Sequence, residues 1–209
     1  MSLVILIIAF IKSFLLLIVA MTVHEFSHGW VAYKLGDKTA LHSGRLTFNP
    51  LAHIDPIWTF LLPLFLFISS GGRFIFGAAK PVPINYWALR NPKRDIILVG
   101  LAGPMANFVL AAGLSLVLRF PSLPSIGYII LVNLIAINVI LGVFNLIPLP
   151  PLDGSRVLMG ILPAEAANAY ARIEPYGFII LALLAGLGIL GKLIFPAVIL
   201  ILRLLGVSA

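Results

Sequence analysis

Four stretches of this chain are too apolar, over too great a length, to be the core of a soluble protein: Leu3 to about Leu35, Ile96 to Leu118, Ile126 to Ile147 and Gly177 to Leu205. Apolar runs of 18 or more residues match the hydrocarbon thickness of a bilayer, where a helix satisfies all of its own backbone groups. The rest of the composition agrees. Of 209 residues, 61% are hydrophobic and 10% charged, and the mean hydropathy is +1.14. A water-soluble enzyme, a secreted disulfide scaffold and a disordered chain are thereby excluded. The absence of cysteine also removes thiolate metal sites and thiol nucleophiles. The formal charge of +7 is scattered between apolar runs, so it reads as membrane topology and not as a nucleic-acid surface.

The first run carries Lys12 and a polar cluster around His24; as one helix it would be about 50 Å long, so it must tilt, break or protrude. Its start lacks a basic region and a cleavage site, so it is expected to be retained and not removed as a leader. A second run, Ile57–Ile68, is short and contains Pro63. The last stretch is either one tilted span or two segments parted at Gly191 and Lys192. Loop charges orient the chain: Lys34, Lys38 and Arg45 precede the 57–68 run, and Arg73, Lys80, Arg90, Lys93 and Arg94 follow it. Both basic loops belong in the cytoplasm, so 57–68 is expected to dip in and return at Pro63 as a re-entrant or interfacial segment. Residues 71–88, with Phe74 and Phe76 alternating and prolines at 81 and 83, read as a short strand or hairpin with an open edge, or as an ordinary basic loop. The expectation is an all-α polytopic bundle of about 4–5 transmembrane segments, forming one membrane-embedded domain over residues 1–209, with the re-entrant segment and any hairpin on the cytoplasmic side.

Chemistry enters through His24-Glu25-Phe26-Ser27-His28. Positions 24 and 28 lie one above the other on a helix, so two imidazoles can share a metal ion; Glu25, rotated about 100° away, falls beside the metal's water. Ionisable groups at membrane depth are costly and mark functional sites. A catalytic zinc site commonly takes three protein ligands, and without cysteine the third comes from His42, His53, Asp37, Asp55, Asp95, Asp153, Glu165 or Glu174. Asp153 stands out because it follows the Ile126–Ile147 run in Asn145-Leu146-Ile147-Pro148-Leu149-Pro150-Pro151-Leu152-Asp153-Gly154. Three prolines there unwind the helix and Gly154 permits a tight turn. With the first helix running outside to inside, Asp153 and the His24–His28 pair reach the same membrane face.

These residues resemble a known family. His24–His28 in a membrane helix, Gly103-Pro104-Met105-Ala106-Asn107 in the third run, and Asn145, Pro148 and Leu152-Asp153-Gly154 after the fourth are similar to the site-2 proteases, intramembrane zinc metalloproteases. Asn49-Pro50-Leu51-Ala52-His53-Ile54-Asp55-Pro56 resembles a compact prokaryotic branch without PDZ or CBS modules. The resemblance implies one zinc ion per chain on His24, His28 and Asp153, Glu25 as catalytic acid and base, and Asn145 placing the substrate or its oxyanion. It also implies transmembrane or membrane-anchored protein substrates and a prokaryotic inner membrane, with the site toward the cytoplasm. Asn107 and His53 are further substrate-binding candidates. Asn107 is expected to face the bundle; His53 either meets metal or substrate or holds the turn between Pro50 and Pro56. The competing class is a non-proteolytic membrane metal-binding protein, a carrier or sensor, for which Glu25 has no use.

Overall fold

The computed structural model describes residues 3–69, 71, 77–120 and 123–207. Among them every regular element is helical. Four helical stretches are long and apolar enough to cross a membrane: Val4–Lys34, Pro92–Val117, Ser125–Asn145 and Ala164–Gly186.

Helix α1 (Leu3–Lys34) is a single unbroken rod about 48 Å long. It contains no proline, and Gly29 is its one glycine. Gly36, at φ +116°, ends it in a conformation that side chains disfavour, and the Asp37 N–H turns back onto Ala32 O at 3.0 Å. The N-terminal half leaves Val4, Ile8, Ile11 and Leu15 exposed, as a lipid-facing surface requires. A short α2 (Thr39–His42) follows it, and the C-terminal half of α1 is buried by α4 (Pro92–Val117) and α5 (Ser125–Asn145). After the proline-rich turn at 146–152 come α6 (Asp153–Ile161), α7 (Ala164–Ala171), α8 (Gly177–Gly186) and α9 (Ile189–Leu204). One apolar core joins Ile135 and Val139 of α5 to Leu181 of α8 and to Leu190, Ile194, Val198 and Leu202 of α9.

Small residues set how closely the elements approach. A Cβ on Gly160 of α6 would overlap Ile97 and crowd Ile96 and the Lys93 carbonyl of α4, and one on Gly100 of α4 would meet the Asp153 carbonyl at 3.0 Å. Backbones packed this tightly carry α6, and Asp153 at its start, onto α4.

Two expectations shift. The last stretch does divide, but at Gly188 (φ +70°) and not at Gly191 and Lys192. Gly191 lies inside α9, and the Lys192 N–H closes a helical turn on Gly188 O. The 57–68 run does not turn at Pro63. A π-helical turn (Pro56–Leu61) leads into α3 (Leu62–Ser69), and Leu62 N–H bonds to Ile57 O. That register change falls just before Pro63, so the proline's missing N–H is absorbed and the helix runs on. Phe60 meets Phe14 and Phe67 meets Phe10 of α1, with ring centroids 5.6 and 5.3 Å apart; α3 therefore runs antiparallel to α1. By Ala78 the chain is back at the start of this segment, where Ala78 N–H bonds to Trp58 O at 3.0 Å and Thr59 Oγ1 donates to Ala78 O at 2.7 Å.

The hairpin expected over 71–88 lies partly outside the described residues, which omit 72–76 with Phe74 and Phe76. Residues 77–85 form a strap with no regular secondary structure and no strand partner among the described residues. Its prolines at 81 and 83 offer no N–H to a ladder, and the groups on its inner edge bond to the 53–59 turn and to side chains.

The α4–α6 contact gives a direct test. Gly160→Val should lower stability by about 1–3 kcal/mol through overpacking, read by reversible SDS unfolding; an unchanged midpoint would contradict the close contact.

Candidate metal centre

His24 and His28 stand one turn apart on the buried half of α1, 5% and 6% exposed. Their rings are held from behind. His28 Nδ1 lies 2.7 Å from the Val99 carbonyl, which can only accept, so Nδ1 carries the proton and Nε2 is left with its lone pair. For His24 the same conclusion follows from a chain of amides. Asn138 Nδ2 donates to Leu134 O at 2.8 Å, which turns Asn138 Oδ1 toward Asn107. Asn107 Nδ2 donates to that oxygen at 2.7 Å and to Ala20 O at 3.1 Å. Asn107 Oδ1 therefore faces His24 Nδ1, 2.6 Å away, and accepts its proton. Both asparagines are fully buried, where amides persist only when paired.

The two bare Nε2 atoms point at each other and at one carboxylate. They are 3.0 Å apart, and Asp153 Oδ2 lies 3.0 Å from His24 Nε2 and 3.2 Å from His28 Nε2. Two neutral imidazole lone pairs and a carboxylate at these separations repel unless positive charge lies among them. Ligands at zinc bond lengths on a tetrahedron are about 3.3 Å apart, so the donor set fits a zinc ion. Among the described residues these three form the group able to hold a metal. Gly103 of α4 faces the same spot: a Cβ there would overlap His28 Nε2 and the His24 ring.

Glu25, beside His24 in sequence, is half-buried, and its Oε2 accepts the Val82 N–H at 2.8 Å. Other sequence candidates lie elsewhere. Asn107 meets His24 and the bundle interior. His53, 2% exposed, bonds through Nε2 to Thr47 O at 2.9 Å and so ties down its own loop. Asn145, the last residue of α5, donates through Nδ2 to Leu141 O at 2.9 Å. Of the remaining acids, Asp37 caps Thr39 and accepts Asn85 N–H, Asp55 caps the π-helical turn, Asp95 accepts Asn91 N–H and Glu174 pairs with Arg156.

The sequence reading passed over Asn138, the Val99 carbonyl and the Val82 N–H. Asn138 carried a usable signal, being an amide in an apolar span; the two backbone groups carried none. Two variants test this geometry. Gly103→Ala should abolish metal retention while leaving helix content unchanged, as metal analysis and circular dichroism would show. Asn107→Leu should weaken metal affinity about 10–100-fold by freeing the His24 ring; wild-type affinity in a chelator competition would contradict its orienting role.

The family model for peptidase family M50 matches residues 122–187, a stretch that includes Asp153. The candidate zinc metalloprotease YwhC of Bacillus subtilis is 37% identical over 180 residues, covering 80% of this chain and 77% of that protein. Rip2 of Mycobacterium tuberculosis, named likewise, is 32% identical over 169 residues, covering 80% of this chain and 63% of Rip2. A zinc metalloprotease of Methanocaldococcus jannaschii is 32% identical over 149 residues; the match covers 71% of this chain and 34% of that longer protein. No solved structure matches the chain significantly. On the extent of these similarities, the chain belongs to peptidase family M50, the site-2 proteases.

Proposed function

We propose that this protein is an intramembrane zinc metalloprotease that hydrolyses peptide bonds of membrane-anchored proteins, acting as a single domain. The observation that carries the reading is the convergence of His24 Nε2, His28 Nε2 and Asp153 Oδ2 within 3.2 Å of one another, with Glu25 next in the chain. His24, His28 and Asp153 would hold one zinc ion. Zinc there would polarise the scissile carbonyl and acidify the attacking water.

The protein's own groups do the rest. Glu25 takes a proton from that water on a carboxylate oxygen and delivers it to the departing amine nitrogen. Val99 O and Asn107 keep both imidazoles in the tautomer that offers Nε2. Asn145, at the α5 terminus, would exchange its bond to Leu141 O for one to substrate or oxyanion.

With Lys34 at the cytoplasmic surface, as this reading has it, His24 and His28, ten and six residues earlier, would lie about 10–15 Å below it. We infer that Pro56–Ser69 is re-entrant. Its antiparallel run along α1 and the return of Ala78 to Trp58 support entry and exit on one side. A substrate helix hides its carbonyls in its own hydrogen bonds, so helix-breaking residues near the cleavage point should favour hydrolysis. The expected setting is a prokaryotic inner membrane with the site opening toward the cytoplasm.

Glu25→Gln decides between this reading and a metal carrier or sensor. The variant should keep its metal and lose at least about 100-fold in cleavage rate on a single-span fusion protein carrying a Gly-Pro break. Metal retention with no cleavage by either form would contradict the proteolytic reading.

A further inference from the structure

The strap after α3 reaches Glu25, the neighbour of His24 in the chain, through the Val82 N–H on Glu25 Oε2. Gly29, one turn beyond Glu25, makes room for it: a Cβ there would stand 3.2 Å from Val82 Cγ1. Val82 is buried, and its neighbours at 81 and 83 are prolines without N–H groups. The strap therefore presents a lone donor to α1, and a carboxylate is what receives it.

The other end of the same peptide unit is also held by a charge. Arg45, 9% exposed, donates through Nη2 to the carbonyl of Lys80 and to that of Pro81 at 3.3 Å. No carboxylate pairs with Arg45 among the described residues, and its Nε is buried without a partner there. A guanidinium in such a place is costly unless its charge is answered. The Pro81–Val82 peptide connects it to an anion: guanidinium on the C=O, carboxylate on the N–H. Hydrogen bonds in series through one polarisable amide strengthen each other.

We propose that Arg45 and the Pro81–Val82 peptide are positioning groups for Glu25, a relay that holds its carboxylate in one rotamer at the metal centre. This rests on Glu25 moving the proton in the reaction proposed above. Glu25 Oε2 is fixed by Val82, and Oε1, which has no protein partner among the described residues, is left for the water and the amine. A glutamate side chain free to sample its rotamers would spend little time in the reactive geometry, and a displacement of about 1 Å can cost a hundredfold in rate.

Val82→Pro deletes the N–H within a proline-rich segment, whereas Val82→Ala keeps it and removes the packing. Arg45→Met removes the guanidinium and Arg45→Lys restores a donor. Turnover is measured on the single-span Gly-Pro fusion protein, beside wild type and Glu25→Gln. Val82→Pro and Arg45→Met should each lower kcat about tenfold or more, with KM within about twofold and zinc content at the wild-type level. Val82→Ala and Arg45→Lys should remain within about threefold of wild type. The double variant Val82→Pro/Arg45→Met should be no slower than Val82→Pro alone, because both act through one bond. A second readout needs no turnover. In metal-free protein, the carboxylate stretch isolated as wild type minus Glu25→Gln should shift in Val82→Pro and Arg45→Met but not in Val82→Ala.

An unmoved band with unchanged kcat in Val82→Pro overturns the inference, as does loss traced to missing zinc or multiplicative loss in the double variant. If Val82→Pro does not fold, Arg45→Met against Arg45→Lys decides by the same readouts. Absence of cleavage by wild type overturns the proteolytic reading instead, and the band then reports on the Glu25 contact separately.

Discussion

Two imidazoles of α1 are held from behind by α4, and the rest of the polar architecture depends on that. A histidine buried in an apolar bundle can rotate, change tautomer or lie against a neighbour. Here the Val99 carbonyl and the Asn107 side chain accept both Nδ1 protons, so both Nε2 lone pairs are committed to one point. Asn107 can do this only because Asn138 and Ala20 O take up its amide hydrogens. Bringing α4 this near to α1 requires Gly103, and bringing Asp153 to the same point requires Gly100 of α4 and Gly160 of α6. Helix packing by small residues and polar orientation are therefore one constraint: loosen the contact and the donor set disperses.

Much of this was legible from sequence. Apolar run lengths gave α1, α4 and α5 to within a few residues, because in lipid a helix is the one open-chain solution and little competes with it. The spacing of His24 and His28 fixed their common face, and the proline-rich turn before Gly154 pointed Asp153 toward them. The break in the final stretch was misplaced by a few residues. Gly188 and Gly191 are equally permissive in composition, and it is the left-handed backbone at Gly188 that separates α8 from α9. Proline ordinarily interrupts a helix, so the sequence suggests a turn at Pro63; the π-helical turn ahead of it removes that conflict.

What escaped the sequence reading is mostly backbone. The Val99 carbonyl and the Val82 N–H carry no side-chain signature, and their roles exist only once α4 and the strap lie against α1. Arg45 entered the sequence reading as a topological charge. In the fold it is a buried guanidinium on the strap's carbonyls, a role that positive-inside counting could not distinguish from a solvated loop residue. Asn107, expected to face the bundle, lies behind His24, and His53 bonds within its own loop, one of the two roles the sequence leaves open for it.

X-ray absorption at the zinc edge of the purified protein tests the central claim most directly. Two imidazole nitrogens at about 2.0–2.1 Å and one carboxylate oxygen at about 2.0–2.2 Å, at one zinc per chain, is the result this arrangement predicts. The oxygen shell should change in Asp153→Ala while the imidazole count stays at two. A stoichiometric zinc with one imidazole or three, or a first coordination sphere unmoved by Asp153→Ala, would contradict the assignment of His24, His28 and Asp153.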